Sequence, residues 1–258
     1  MADVHSTALV DPRAGLASDV KVEAFAVVGA DVELGEGVVV GPHVVLSGRT
    51  RVGAGTRISS HACLGCLPQH RDHAGEHTRL EIGCENEIRE HVTISLGTER
   101  GGGSTFIGDR NLIMNGSHVG HDCRIASDCE IASFSGLAGH VVVEDYVVLG
   151  AYTGVHQFCR VGENVMAASG AKLSLDAPPF TLVAGDRARV VGLNEVGLKR
   201  RGITEERLIV LKRAFRTIFR SSLRLEEATE QLAADSAKHP EIEHLLAFLR
   251  KSERGFCR

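Results

Sequence analysis

The chain has 258 residues and a formal net charge of −4, room for one large domain or a domain with an appendage, and no basic excess to drive nucleic-acid binding. Aromatic residues are only 4% with no Trp, against 29 Gly, which argues against a core filled by large rings. No apolar run reaches the roughly 18 residues of a membrane span, and no basic-then-apolar leader opens the sequence, so a cytoplasmic protein is expected.

From Ala8 to Leu173 a branched aliphatic residue returns at every sixth position: Val10, Leu16, Val22, Val28, Leu34, Val40, Leu46, Val52, Ile58 and Leu64. The series breaks, resumes at Ile82, Ile88 and Ile94, breaks again, and runs from Ile107 through Val119, Leu137 and Val155 to Val161. Two residues earlier stands a small or β-branched residue, such as Ala26, Ser117, Cys123 or Ser135, and Gly often follows, as in Gly41, Gly53 and Gly108. This period suits neither a lone helix nor an alternating strand. It suits a short strand with two inward side chains, then a corner where glycine permits positive φ. Three such units close a triangular coil, and stacked coils make a parallel β-helix.

Both breaks are excursions from the coil, at Cys66–Arg79 and Thr98–Ser104, and loops leaving a rigid scaffold are where binding groups sit. The first holds His70, Asp72, His73 and His77, which are expected to face solvent because nothing fixes their mutual geometry. The second holds Gly101-Gly102-Gly103, without the Gly-Lys-Ser/Thr that a phosphate cradle needs. Seven Cys without a leader indicate reduced thiols, and Cys63-Leu-Gly-Cys66 has no second pair to complete a zinc site. No metal and no cofactor is expected.

The rhythm changes near residue 177, where Pro178-Pro179 lack the donors of a strand ladder. Thr204 caps a predicted helix with Leu208, Leu211, Phe215, Ile218 and Phe219 on one stripe. Leu225–Ala234 is a second, and Pro240 starts a third with Ile242, Leu245, Leu246 and Leu249. We therefore expect an all-β domain over 1–186 and an α-helical cap over 187–258, which covers the open end of the coil. Residues 187–220 carry ten Arg or Lys, including Lys199-Arg200-Arg201, an electrostatic footprint for phosphate or an acidic partner.

The chemistry concentrates in His118-Val-Gly-His121-Asp122, in Gly139-His140 one coil later, and in His156-Gln157 within the next. With three hexads per coil, His140 stacks on Asp122 and Gly139 on His121. A histidine beside a glycine N–H supplies a base and an oxyanion donor, the two components of acyl transfer. Neither a Gly-x-Ser-x-Gly elbow nor a reactive-Cys context is present, which favours direct transfer.

These segments, with Ala151-Tyr-Thr-Gly-Val-His156-Gln157-Phe158-Cys159, Pro178-Pro179 and Gly197-Leu-Lys-Arg-Arg-Gly202, resemble the acyl-[acyl-carrier-protein]–UDP-N-acetylglucosamine O-acyltransferase family essentially end to end. The resemblance implies a left-handed parallel β-helix, a homotrimer with interfacial sites, and the first step of lipid A synthesis. It implies His121 as general base, supported by Asp122, with the Gly139 N–H on the thioester carbonyl. Gln69, His118, His140, His156 and Gln157 would hold the sugar nucleotide, and Asn194, Arg200 and Arg201 its nucleotide end. Other basic residues would dock acyl carrier protein, and Met166 and Ser169 would border the acyl groove.

Two segments depart from the family pattern. Gln-Asp-Leu-Lys-Tyr becomes Gln69-His70-Arg71-Asp72-His73, and Ile-His-Arg-Gly-Thr becomes Ile94-Ser95-Leu96-Gly97-Thr98. Both departures bear on the sugar pocket rather than on the reaction class. An N-acyltransferase acting on a UDP-3-amino-sugar is therefore an alternative. A trimeric zinc enzyme resembling γ-type carbonic anhydrase, with His118, His121 and His140 as ligands, is another.

Overall fold

A computed structural model describes residues 2–71 and 73–258. The chain winds as a left-handed parallel β-helix whose three faces are sheets of 11, 9 and 8 strands. Successive strands fall on successive faces: Leu112–Ile113 on the first, His118–Val119 on the second, Arg124–Ile125 on the third, and Glu130–Ile131 on the first again. Register is in line at the site, with His118 beside Gly136 and Gly136 beside Gly154, and shifts between Leu64 and Cys66 where the first excursion leaves. The hexad aliphatics point inward, half-buried at Val10 and Leu16 and buried from Val22 onward, and the small residues two places earlier fill the narrow corners.

Gly37, Gly55, Gly116 and Gly170 hold positive φ at corners as expected, but the glycines directly after the aliphatic position have a different reason. Fifteen non-glycine residues, among them Asp122, His140 and Phe158, hold the left-handed conformation with φ between 54° and 68°. Each such residue costs about 1–2 kcal/mol relative to ordinary backbone. Amide bonds to the preceding coil offset this, as in His140 N–H to His121 O at 2.9 Å and Phe158 N–H to Gly139 O at 3.1 Å. The glycines after the aliphatic position are needed for close approach instead. A Cβ at Gly41 would lie 2.8 Å from Ile58 O, and one at Gly53 would lie 2.5 Å from Gly83 C.

The coil runs on past the proline pair. Thr181–Ala184 adds to the first face in parallel, and Arg189–Leu193 returns antiparallel to it. The 186/187 division thus falls in the turn of this hairpin. Four helices follow: α1 (Glu195–Arg200), α2 (Glu205–Phe219), α3 (Leu225–Ser236) and α4 (Pro240–Arg250). The last three are the expected ones, and Thr204 caps α2 through Arg207 N–H. Leu208, Leu211, Ile218, Ile242, Leu245, Leu246 and Leu249 form the cap's own core with Phe180 and Leu198. None of the helices described is long and apolar enough to cross a membrane.

Candidate active site

One corner of the prism, between the second and third faces, gathers nearly all the chemistry. His121-Asp122 turns that corner between His118–Val119 and Arg124–Ile125, Gly139-His140 turns it one coil later, and His156-Gln157 the coil after. Both excursions leave from the same corner: 67–78 separates Cys63–Cys66 from Arg79–Ile82, and 96–103 separates Thr93–Ser95 from Ser104–Ile107.

Asp122 is the anchor. Its fully buried carboxylate accepts the Thr98 N–H on Oδ1 at 2.7 Å and the Thr98 hydroxyl on Oδ2 at 2.7 Å, while its own N–H donates to Thr105 Oγ1 at 2.9 Å. His121 Nδ1 lies 2.7 Å from Oδ2 and donates to it, which leaves Nε2 with the lone pair. The triple glycine now has a purpose: a Cβ at Gly101 would land on the Asp122 carboxylate, so only glycine lets the loop seal it.

The His121 ring lies flat against Gly139, where a Cβ would sit 2.6 Å from Cε1 and 2.8 Å from Nε2. The Gly139 N–H donates to no other group among the described residues, so a free donor lies beside the His121 ring. His140 packs edge-on to His121 at 5.2 Å between centroids and stacks on Phe158 at 4.3 Å. Burial holds the His140 pKa below the ordinary histidine value, against the pull of the Asp122 charge. His118 stands one strand away with Nδ1 2.8 Å from Thr93 Oγ1, and burial followed by the neighbouring His121 lowers its pKa too.

The expectation that the loop histidines face solvent holds for His70 and His77, which are exposed, and fails for His73. His73 keeps only 8% of its side chain exposed and pairs with Glu76. His70 lies edge-on to His121 with centroids 5.5 Å apart, so the first excursion reaches the base in the same chain. His77 and Gln69 are exposed, and Asp72 lies outside the described residues. Ser95 and Leu96 are buried in the coil wall, so that departure does not rewrite an open pocket.

A groove of about 510 Å³ runs from His118 along the second face to Lys172, with His156 and Arg187 on its rim. Its floor is bare because the outward strand positions are Gly136 and Gly154, a feature the sequence reading passed over. A Cβ at Gly136 would meet nothing within 4 Å, so glycine there keeps space open rather than avoiding a clash. Met166 projects from the first face and Ser169 lies exposed at the next corner; neither lines this groove in a single chain.

Asn194, Arg200 and Arg201 belong elsewhere. Asn194 caps α1 through Gly197 N–H and donates to Asn164 O at 2.9 Å. Arg201 lies over the Tyr146 ring at 3.5 Å and pairs with Glu163 at 2.5 Å, on the corner between the third and first faces. A single chain therefore separates these residues from His121 by one face. Much of the basic run is internally paired, as in Lys199–Glu205, Lys212–Glu195 and Arg213–Asp235. Arg187, Arg189, Arg200 and Arg216 form no ion pair among the described residues.

His121, Asp122 and His140 present donor atoms within 4.8 Å of one another. Within one chain His118 is not in that group.

Comparison with known proteins agrees with this architecture. Residues 13–48 and 104–139 match the bacterial transferase hexapeptide family, and residues 176–257 match the family described as UDP N-acetylglucosamine O-acyltransferase, domain 2. The acyl-[acyl-carrier-protein]–UDP-N-acetylglucosamine O-acyltransferase of Herminiimonas arsenicoxydans is 45% identical over 262 residues, covering 100% of both chains. The protein of the same name from Janthinobacterium sp. (strain Marseille) is 46% identical with the same coverage. The crystal structure of UDP-N-acetylglucosamine O-acyltransferase from Moraxella catarrhalis RH4 superposes with a TM-score of 0.95 at 35% identity, covering 99% of each chain. By identity carried end to end, by the coil and by its helical cap, the chain belongs to the acyl-[acyl-carrier-protein]–UDP-N-acetylglucosamine O-acyltransferase family.

Proposed function

We propose that the protein transfers a fatty acyl group, expected to carry a 3-hydroxyl, from the thioester of acyl carrier protein to the 3-hydroxyl of UDP-N-acetylglucosamine, the first step of lipid A biosynthesis. The observation that carries this reading is the Thr98–Asp122–His121 chain opening onto the Gly139 N–H. His121 Nε2 takes the proton of the sugar hydroxyl as its oxygen attacks the thioester carbonyl. The Gly139 N–H stabilises the oxyanion that forms, and Asp122 stabilises the imidazolium. Collapse breaks the carbon–sulfur bond, and the imidazolium returns its proton to the leaving thiolate. His118 and His156 on the groove rim, with Gln69, His140 and Gln157 around the base, are assigned to the sugar nucleotide. The glycine-floored groove is assigned to the donor's acyl arm, with Met166 and Ser169 at its far border in the assembly.

Asn194, Arg200 and Arg201 are assigned to the nucleotide end. Their place on another corner supports a homotrimer in which a neighbouring copy completes each site. The unpaired Arg187, Arg189 and Arg216 are assigned to docking of acyl carrier protein, and the enzyme to the cytoplasm. Ester formation is favoured over the amide because the end-to-end relatives are named O-acyltransferases. Mass spectrometry of the product from UDP-N-acetylglucosamine, or its 3-amino analogue, with a panel of acyl-carrier-protein thioesters tests this. An acyl ester of the first acceptor is expected, and turnover confined to the amine would overturn it.

A further inference from the structure

The groups assigned to acyl transfer at this corner also present a transition-metal donor set. We propose that His121, Asp122 and His140, with His70 at the open side, form a site for one zinc ion whose occupancy switches the enzyme off. The switching rests on the assignment of His121 as general base, whereas the binding rests on geometry alone.

The donor atoms are already placed. From Asp122 Oδ2, His121 Nδ1 lies at 2.7 Å and His140 Nε2 at 3.6 Å. Zinc bonds to imidazole nitrogen and carboxylate oxygen are about 2.0–2.2 Å, which sets tetrahedral edges near 3.3 Å. Those two edges bracket that value, and the third, between the two imidazole nitrogens, lies within 4.8 Å, so rotation of the two rings closes the set around one ion. Two imidazoles and a carboxylate are a donor set that zinc favours. The carboxylate is held from behind by the Thr98 N–H and hydroxyl, both at 2.7 Å, the outer-shell support that fixes a ligand's direction. Gly101 seals that side, so an ion enters past His140 and His70. The edge-on contact between His70 and His121, centroids 5.5 Å apart, makes His70 the imidazole best placed for a fourth ligand. Where the family pattern has an acidic residue, this chain has that histidine.

Zinc takes the neutral imidazole, so affinity rises with pH as the imidazolium is lost, and the ring proton of His121 moves from Nδ1 to Nε2. With Nδ1 on zinc, His121 can no longer donate to Asp122, and Nε2 carries the proton in place of a lone pair. The nitrogen that must accept the sugar proton becomes a poor base.

The test uses the full-length protein stripped with EDTA. Calorimetry with Zn2+ in the absence of substrates should give one ion per chain, and turnover should fall in step with occupancy and recover on chelation. His140→Gln and His70→Asn, each checked for unchanged melting, should weaken binding by about tenfold or more. Co2+ absorption and X-ray absorption on the wild type should report nitrogen and oxygen ligands without sulfur. Absence of saturable binding overturns the proposal, as do affinity unchanged in both variants or sulfur ligation, which would move the ion to Cys63 and Cys66. Zinc that binds at one equivalent and leaves an active enzyme unaffected overturns the switch. A protein that binds zinc as described yet transfers no acyl group would sink the proposed function and leave the site standing.

Discussion

Asp122 Oδ2 accepts from His121 Nδ1 at 2.7 Å, and the same oxygen accepts the Thr98 hydroxyl at 2.7 Å. The His121 ring is thereby fixed in one tautomer by a loop that leaves the coil one full turn earlier. His121 itself contributes little to the coil, since its backbone carbonyl, not its ring, bonds the next turn.

His121→Ala should therefore lower kcat by about 10²–10⁴, the usual worth of general-base assistance, with the fold and melting temperature nearly intact. A folded mutant with near wild-type turnover on the sugar alcohol would remove His121 as the base. A neutral amine already carries a usable lone pair, so a smaller loss is expected on a 3-amino analogue.

The glycine floor gives a second expectation. Gly136→Val suits a strand better than glycine does, and nothing stands within 4 Å of the new Cβ. The fold should be retained or slightly stabilised while turnover with long-chain thioesters falls more than with short ones. Equal loss at all chain lengths would mean that the groove does not hold the acyl arm.

The coil was legible because its signal is redundant: every hexad repeats it, and inward positions such as Val119, Leu137 and Val155 are all buried. The stacking of His140 on Asp122 followed from counting three hexads per coil, and both hold the same left-handed conformation. The shared corner of the two excursions was equally countable, since each resumes on the next face, but their irregular lengths hide the phase. Tertiary facts were not legible. That Gly101 touches Asp122, that His73 is buried, and that His70 meets His121 all depend on how loops fold back over the coil. The hairpin Thr181–Leu193 and the helix α1 are too short to carry a periodic signal of their own.

The paired arginines of the cap should separate by assay. Arg201 already serves Tyr146 and Glu163, whereas Arg200 makes no ion pair among the described residues. Arg200→Ala should weaken sugar-nucleotide affinity alone, by up to about 1.5–3 kcal/mol for a lost charge-assisted bond. Arg201→Ala should lower both affinity and melting temperature. Calorimetry showing nucleotide affinity unchanged in the double mutant would end the phosphate assignment.

The cap is fastened to the coil by a titrating contact, which gives the last prediction. His244 of α4 places Nε2 2.8 Å from Glu144 and 3.8 Å from Glu163, and Arg160 approaches Glu144 at 3.5 Å. The Glu144 hydrogen bond raises the His244 pKa above the ordinary 6.5, against partial burial and the Arg160 charge. Burial, the largest single influence, pushes the Glu144 pKa up, but the His244 bond and charge, the Glu163 N–H and the Arg160 charge together hold the carboxyl below the ordinary 4.5. A raised histidine contributes stability that is full below about 6.5 and lost as pH rises through its folded value. A depressed carboxyl contributes above its ordinary value and loses that contribution as pH falls. The contact is therefore strongest between those limits, in the mildly acidic range. His244→Gln keeps a hydrogen-bonding side chain and removes the titration. The melting-temperature gap between wild type and mutant should be largest near pH 6 and shrink toward pH 9. A gap that stays constant across that range would show that His244 acts by packing on Phe180 rather than by its charge.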